Sequence, residues 1–137
     1  MTGPRRTFTL EEANRTLPLV RRIVQDLVDT YATVQALLAD LDTAMETAST
    51  PDMERIAQAI RRERARLEEY ARELEPIGCE LKGLDPGLVD FRAIYEGRDI
   101  LLCWKLGEER IDYWHEENSG YAGRMPITPE VAAALGS

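Results

Sequence analysis

The residues able to do chemistry crowd into one stretch, GLVDFRAIYEGRDILLCWKLGEERIDYWHEENSGYAGR, from Gly87 to Arg124. His115 is the only histidine, and imidazole is the one side chain that ordinarily changes charge near neutral pH. Glu116 follows it directly. The run Gly120-Tyr121-Ala122-Gly123-Arg124 comes next, and its backbone N–H groups together with a guanidinium are suited to holding a small anion. Trp104 and Trp114 flank the same region and could line a cleft at a sheet edge. The candidate binding set is therefore His115, Glu116, Gly120, Gly123, Arg124, Trp104 and Trp114, with no residue assigned a catalytic role.

Each of these residues also has a structural reading. His115 can be a packed histidine with one polar partner. The glycine-bearing run can be a turn-rich crossing in which Arg124 pairs with Glu116 or Asp90. Cys103 reads as a small apolar residue beside Trp114 and Asp90, on the sheet face away from the helices. A nucleophilic cysteine needs a base nearby. A regular strand turns His115 to the opposite face, and only a bulge near Trp114 would bring the two together. Asp90, Cys103, His115 and Glu116 supply the atom types for a metal, but the same alternation does not bring all four to one face. No metal site and no cofactor are expected.

The elements that must position these residues are legible from periodicity. Thr9 and Glu12 form a capping box, with Phe8 and Ala13 at the staple positions. Apolar residues then recur from Ala13 to Met45 at alternating spacings of four and three, a coiled-coil-like seam. Ile23, Val28 and Leu37 widen this stripe beyond what one partner helix covers. Pro18 implies either a kink near Leu17 or a short helix followed by a long one. After a break at 47–52, with Thr50 as cap and Pro51 in the first turn, Met53, Ile56, Ile60, Leu67, Tyr70 and Leu74 mark one face of a second helix. A short connection between two matched faces predicts an antiparallel helical hairpin over about residues 10–75.

The remainder reads as a β-meander of about three strands over 87–117. A two-residue turn at Glu96-Gly97 pairs Ala93 with Ile100, Phe91 with Leu102 and Val89 with Trp104. A turn over Gly107–Arg110 pairs Lys105 with Asp112, Trp104 with Tyr113, Cys103 with Trp114 and Leu102 with His115. Residues 118–137 are expected to be loop and a short helix, and Cys79 to Lys82 a short strand or a link. The fold class is α+β in one domain, 1–137: a long antiparallel helical hairpin packed on a small antiparallel β-meander. The outer sheet face, with Ile94, Leu101, Cys103 and Trp114, is too apolar for open solvent. It calls for cover by the C-terminal segment or a second subunit.

A net charge of -8 argues against nucleic acid and anionic membranes as partners, because both need clustered positive charge. Two cysteines outside any CxxC pattern indicate no disulfide scaffold. The opening MTGPRRTFTLEE carries basic residues with no apolar run behind them, which is not a signal peptide. No stretch approaches the roughly 18 apolar residues of a membrane span. The cytoplasm is the expected location.

The runs GLVDF, LLCWKLGEERIDYWHE and GYAGRMPI, with FTLEEANRTLPLV near the start, resemble an uncharacterised prokaryotic family, domain of unknown function 2203. The resemblance covers nearly the whole chain and implies a small cytoplasmic protein. It brings no activity, substrate or catalytic residues. Two functional readings follow from the residues themselves. The first is a non-enzymatic interaction or assembly protein, a homodimer through its helices. The alternative is a small-molecule binder, for an anion, or an enzyme, with its site at His115, Glu116 and Arg124.

Overall fold

The computed structural model describes residues 6–136. Residues 1–5, where the expected leaderless N-terminus begins, and Ser137, the last residue of the expected domain, lie outside them. Helix α1 spans Leu10–Glu46. Its first turn is closed by the capping box: the Glu12 N–H donates to Thr9 Oγ1 at 3.0 Å, and the Thr9 N–H donates to Glu12 Oε1 at 2.8 Å. The helix runs through Pro18 unbroken, so the alternative of two separate helices does not hold. Helix α2 spans Thr50–Leu74, with Ser49 rather than Thr50 in the cap position and Pro51 in the first turn. The two helices pack closely as the expected hairpin.

The sheet has five antiparallel strands in sequence order, not three: β1 (Glu80–Leu84), β2 (Gly87–Tyr95), β3 (Arg98–Lys105), β4 (Tyr113–Glu116) and β5 (Met125–Pro126). The added strands are short edges, β1 pairing with β2 and β5 with β4. Helix α3, Pro129–Leu135, closes the chain. Glu96 and Gly97 both take positive φ, 52° and 75°, as a tight hairpin turn requires. The resulting β2–β3 register places Val89 opposite Trp104, Phe91 opposite Leu102 and Ala93 opposite Ile100, as the alternation predicts.

The β3–β4 register is one residue away from expectation. Leu102 faces Trp114, Cys103 faces Tyr113 and Leu101 faces His115. The cause lies in the connector. Ile111 is buried and gives its N–H to Asn14 Oδ1 on α1 at 2.8 Å, so it packs beneath the sheet and pairs with no strand. The detour uses one more residue than a tight turn. It reverses every side chain of β4. The expected Lys105–Asp112 pair is absent: Asp112 accepts from Arg110 at 3.0 Å, and the Lys105 N–H donates to Glu108 Oε1.

The core lies between the sheet and the helices. Val89, Phe91, Ala93, Ile100, Leu102, Trp104 and Trp114 meet Leu17, Val20, Val24 and Leu27 of α1 and Val131 and Leu135 of α3. A second, smaller cluster of Ala44, Ile56 and Ile60 holds the far end of the hairpin together. Ile23 is buried, while Val28 and Leu37 are half-buried against these two clusters of their own chain.

Candidate ligand-binding site

The reversal of β4 turns His115 to the sheet face away from the helices, where Cys103 and Asp90 already stand opposite each other on β3 and β2. One ligating atom from each of the three lies within 4.8 Å of the other two, and all three side chains are buried. They form part of the wall of a cavity of about 270 Å³, completed by Lys82, Leu88, Leu101, Glu117, Gly120 and Tyr121. The chain's own loop after β4 crosses here, bringing Gly120 and Tyr121 over the sheet. This segment covers the outer face around Leu101 and Cys103, while Ile94 stays exposed.

His115 is held at both ends. Nδ1 lies 2.7 Å from the Glu116 carbonyl oxygen. A carbonyl only accepts, so this nitrogen carries the proton. Nε2 lies 3.2 Å from Asp90 Oδ2, a contact that needs one proton between the two atoms. Burial raises the Asp90 carboxyl above its ordinary range, against the opposing pull of His115. Burial also pushes the Cys103 thiol up to about 11, with the Asp90 charge adding to it and Arg124 opposing. At neutral pH this sulfur is a thiol and a poor nucleophile.

Arg124 is a clamp. Nη1 donates to Glu108 Oε1 at 3.2 Å and Nη2 to Oε2, a bidentate pair. Its guanidinium carbon lies 3.9 Å from the Tyr113 ring centre and 4.7 Å from that of Tyr121. Burial opposes its charge, but Glu108 and Cys103 outweigh burial and raise its pKa. Nη1 also reaches the Cys103 sulfur at 3.9 Å. The expected partners Glu116 and Asp90 are engaged elsewhere, Glu116 with Arg98 and Asp90 with His115.

The predicted site residues thus separate. His115 and Gly120 border the cavity, and Arg124 buttresses it through Cys103. Gly120 has φ of 65° with an extended ψ, a conformation other residues rarely adopt. At Gly123 a Cβ would meet Ser119 Cβ at 2.8 Å, so close packing within the loop requires glycine there, and the residue is not among those lining the cavity. Trp104 and Trp114 belong to the core on the helix side, and Glu116 points to that side at the strand end. Asp90 and Cys103 replace them in the cluster. Glu108, Tyr113 and Tyr121 enter as the Arg124 holder, a role that only the register of β4 reveals.

A larger cavity of about 630 Å³ lies between the start of α1, the β3–β4 connector and α3. Its lining, including Leu10, Ile111, Ile127 and Ala132, carries no buried ligating cluster among the described residues. Among the described residues no helix is long and apolar enough to cross a membrane.

The family model for an uncharacterized conserved protein, DUF2203, matches residues 6–127. The chain belongs to this family. The match contains every residue of the DUF2203 cavity wall, from Lys82 on β1 to Tyr121 in the loop. No curated protein and no solved structure matches it.

Proposed function

We propose that this DUF2203 chain is a small-ligand-binding protein whose site is the cavity over Asp90, Cys103 and His115. One observation carries the reading: three buried side chains with ligating atoms converge on a single cavity. A sheet core has no need of three such groups together, since buried polar atoms cost free energy unless partnered. The reading is of binding, not of thiol catalysis, because burial holds Cys103 protonated.

The surroundings favour a cationic or neutral ligand over an anion. Asp90 and Glu117 both border the cavity. Lys82 is paired with Glu80 at 3.3 Å, Arg92 with Glu117 at 2.8 Å, and Arg124 with Glu108. The cations that would attract an anion are already neutralised by carboxylates.

A thermal-shift panel of metabolites, amines and divalent cations tests this. A ligand at a hundredfold excess over its Kd stabilises by about 2.7 kcal/mol, a rise of several degrees. The shift should vanish in Leu88→Phe, which puts a larger side chain into the cavity wall. A panel in which nothing moves wild type, or in which an organic ligand moves wild type and Leu88→Phe alike, removes the reading.

Self-association is a second reading, favoured by a separate observation. Beyond the sheet the hairpin is two helices only. Leu37, Leu38, Leu41 and Met53 are half-buried there, and Met45 is 59% exposed. A second copy packed on this arm would cover them, as in a four-helix arrangement. Sedimentation equilibrium at micromolar concentration should then give a dimer that Leu38→Glu dissociates. A monomer throughout removes it.

A further inference from the structure

Asp, Cys and His are all side chains that zinc takes as ligands, and catalytic zinc sites use three protein ligands with a fourth position open. Asp90, Cys103 and His115 supply one of each from three adjacent strands, all facing the same cavity. We propose that the occupant of the site is a single thiophilic divalent transition-metal ion of the zinc class, bound by these three residues with its fourth position toward the cavity. This rests on the reading of the cavity as a ligand site.

The histidine geometry points the same way. Metal-bound imidazoles hand their other N–H to a carbonyl or carboxylate, which fixes the tautomer. Here the Glu116 carbonyl takes Nδ1–H at 2.7 Å, and Nε2 faces Asp90. Cys103 has an outer partner too, in the Arg124 guanidinium, itself held by Glu108. Each of these two ligands therefore has a group that orients it.

Distances fit with small movement. Tetrahedral bonds of about 2.0–2.1 Å to nitrogen and oxygen and about 2.3 Å to sulfur set ligand atoms about 3.3–3.6 Å apart. The Nε2–Oδ2 edge is 3.2 Å, and all three edges are below 4.8 Å. Closing the sulfur by about 1 Å completes the triangle, on the same geometry. Binding displaces the thiol proton and the proton between Nε2 and Oδ2. A carboxylate and a thiolate then balance the dication, so the buried site becomes neutral. Calcium and magnesium are poor candidates, since they require six or more oxygen ligands and reject sulfur.

The test is a cobalt(II) titration of chelator-treated full-length protein. The expected result is saturation at one equivalent, with a thiolate-to-cobalt charge-transfer band and strong visible bands of a four-coordinate ion, all abolished by zinc. Cys103→Ser should lose the charge-transfer band and Cys79→Ala should keep it. Asp90→Asn should keep the band and bind cobalt about tenfold or more weakly. It serves as the second variant if circular dichroism shows Cys103→Ser unfolded. Absence of the band in wild type overturns the proposal. So does a band that follows Cys79, or an affinity unchanged in Asp90→Asn. If cobalt and zinc fail while an organic ligand gives a shift that Leu88→Phe removes, the metal is wrong and the cavity reading stands. If both fail, both are wrong.

Discussion

His115 Nε2 stands 3.2 Å from Asp90 Oδ2, on the sheet face turned away from the helices, with both side chains almost fully buried. Removing one partner strands the other in a dry site, at a cost of about 1–3 kcal/mol. Asp90→Ala and His115→Ala should each show this loss in urea unfolding. The double variant should lose clearly less than the sum, because the two residues share one interaction. Additive losses would mean the contact contributes nothing.

Arg124 is expected to stabilise the loop, since its charge is already matched by Glu108 and its plane lies between Tyr113 and Tyr121. Arg124→Ala should cost about 1.5–3 kcal/mol, the range for hydrogen bonds to a charged group. Arg124→Lys should recover only part, because an ammonium cannot make the bidentate contact or stack. Full recovery by lysine, read in thermal unfolding, would contradict the clamp.

The register of β4 has its own check. Trp104 and Trp114 both face the helices, so each change to Ala should cost about 3–5 kcal/mol. Tyr113, half-exposed beneath Arg124, should cost less. A Tyr113→Ala loss larger than that of Trp114→Ala would restore the tight turn over Gly107–Arg110.

The hairpin, its first cap and the β2–β3 register could be read from the chain because local signals agree: the heptad spacing, Thr9 with Glu12, and the Glu96-Gly97 turn. The β4 register could not. Tyr113 and Trp114 offer an aromatic ring to either face, so alternation is satisfied both ways. The choice falls to Ile111, drawn beneath the sheet by Asn14, which precedes it by 97 positions. That single contact decides whether His115 joins Cys103 or the core. The two edge strands are short and irregular, β1 with a register shift between Leu81 and Gly83, and leave little pattern. Arg124 was a candidate pairing partner for Glu116 or Asp90, yet its real partner, Glu108, sits in the connector that the tight turn would have consumed.

Alkaline pH gives a further prediction. Burial pushes the Cys79 thiol from 9.0 to about 11, with Arg6 opposing and Glu80 adding to it. The unfolded chain releases this proton first, so between those values the folded state holds more protons and stability falls as pH rises. The contribution is complete below pH 9.0 and gone above about 11. In Cys79→Ala only the share of Cys103, raised over the same range, remains, and the stability difference from wild type should shrink across this window. A difference independent of pH in urea unfolding would contradict the raised thiol.

The chain's single histidine permits one direct measurement of the site, the nitrogen NMR spectrum of the His115 imidazole before and after zinc. The metal-free protein should show the proton on Nδ1, donated to the Glu116 carbonyl. Zinc should move the Nε2 resonance and leave Nδ1 protonated. An Nε2 signal unmoved by zinc in excess, or an Nδ1 found bare in the metal-free protein, would contradict metal binding by Asp90, Cys103 and His115.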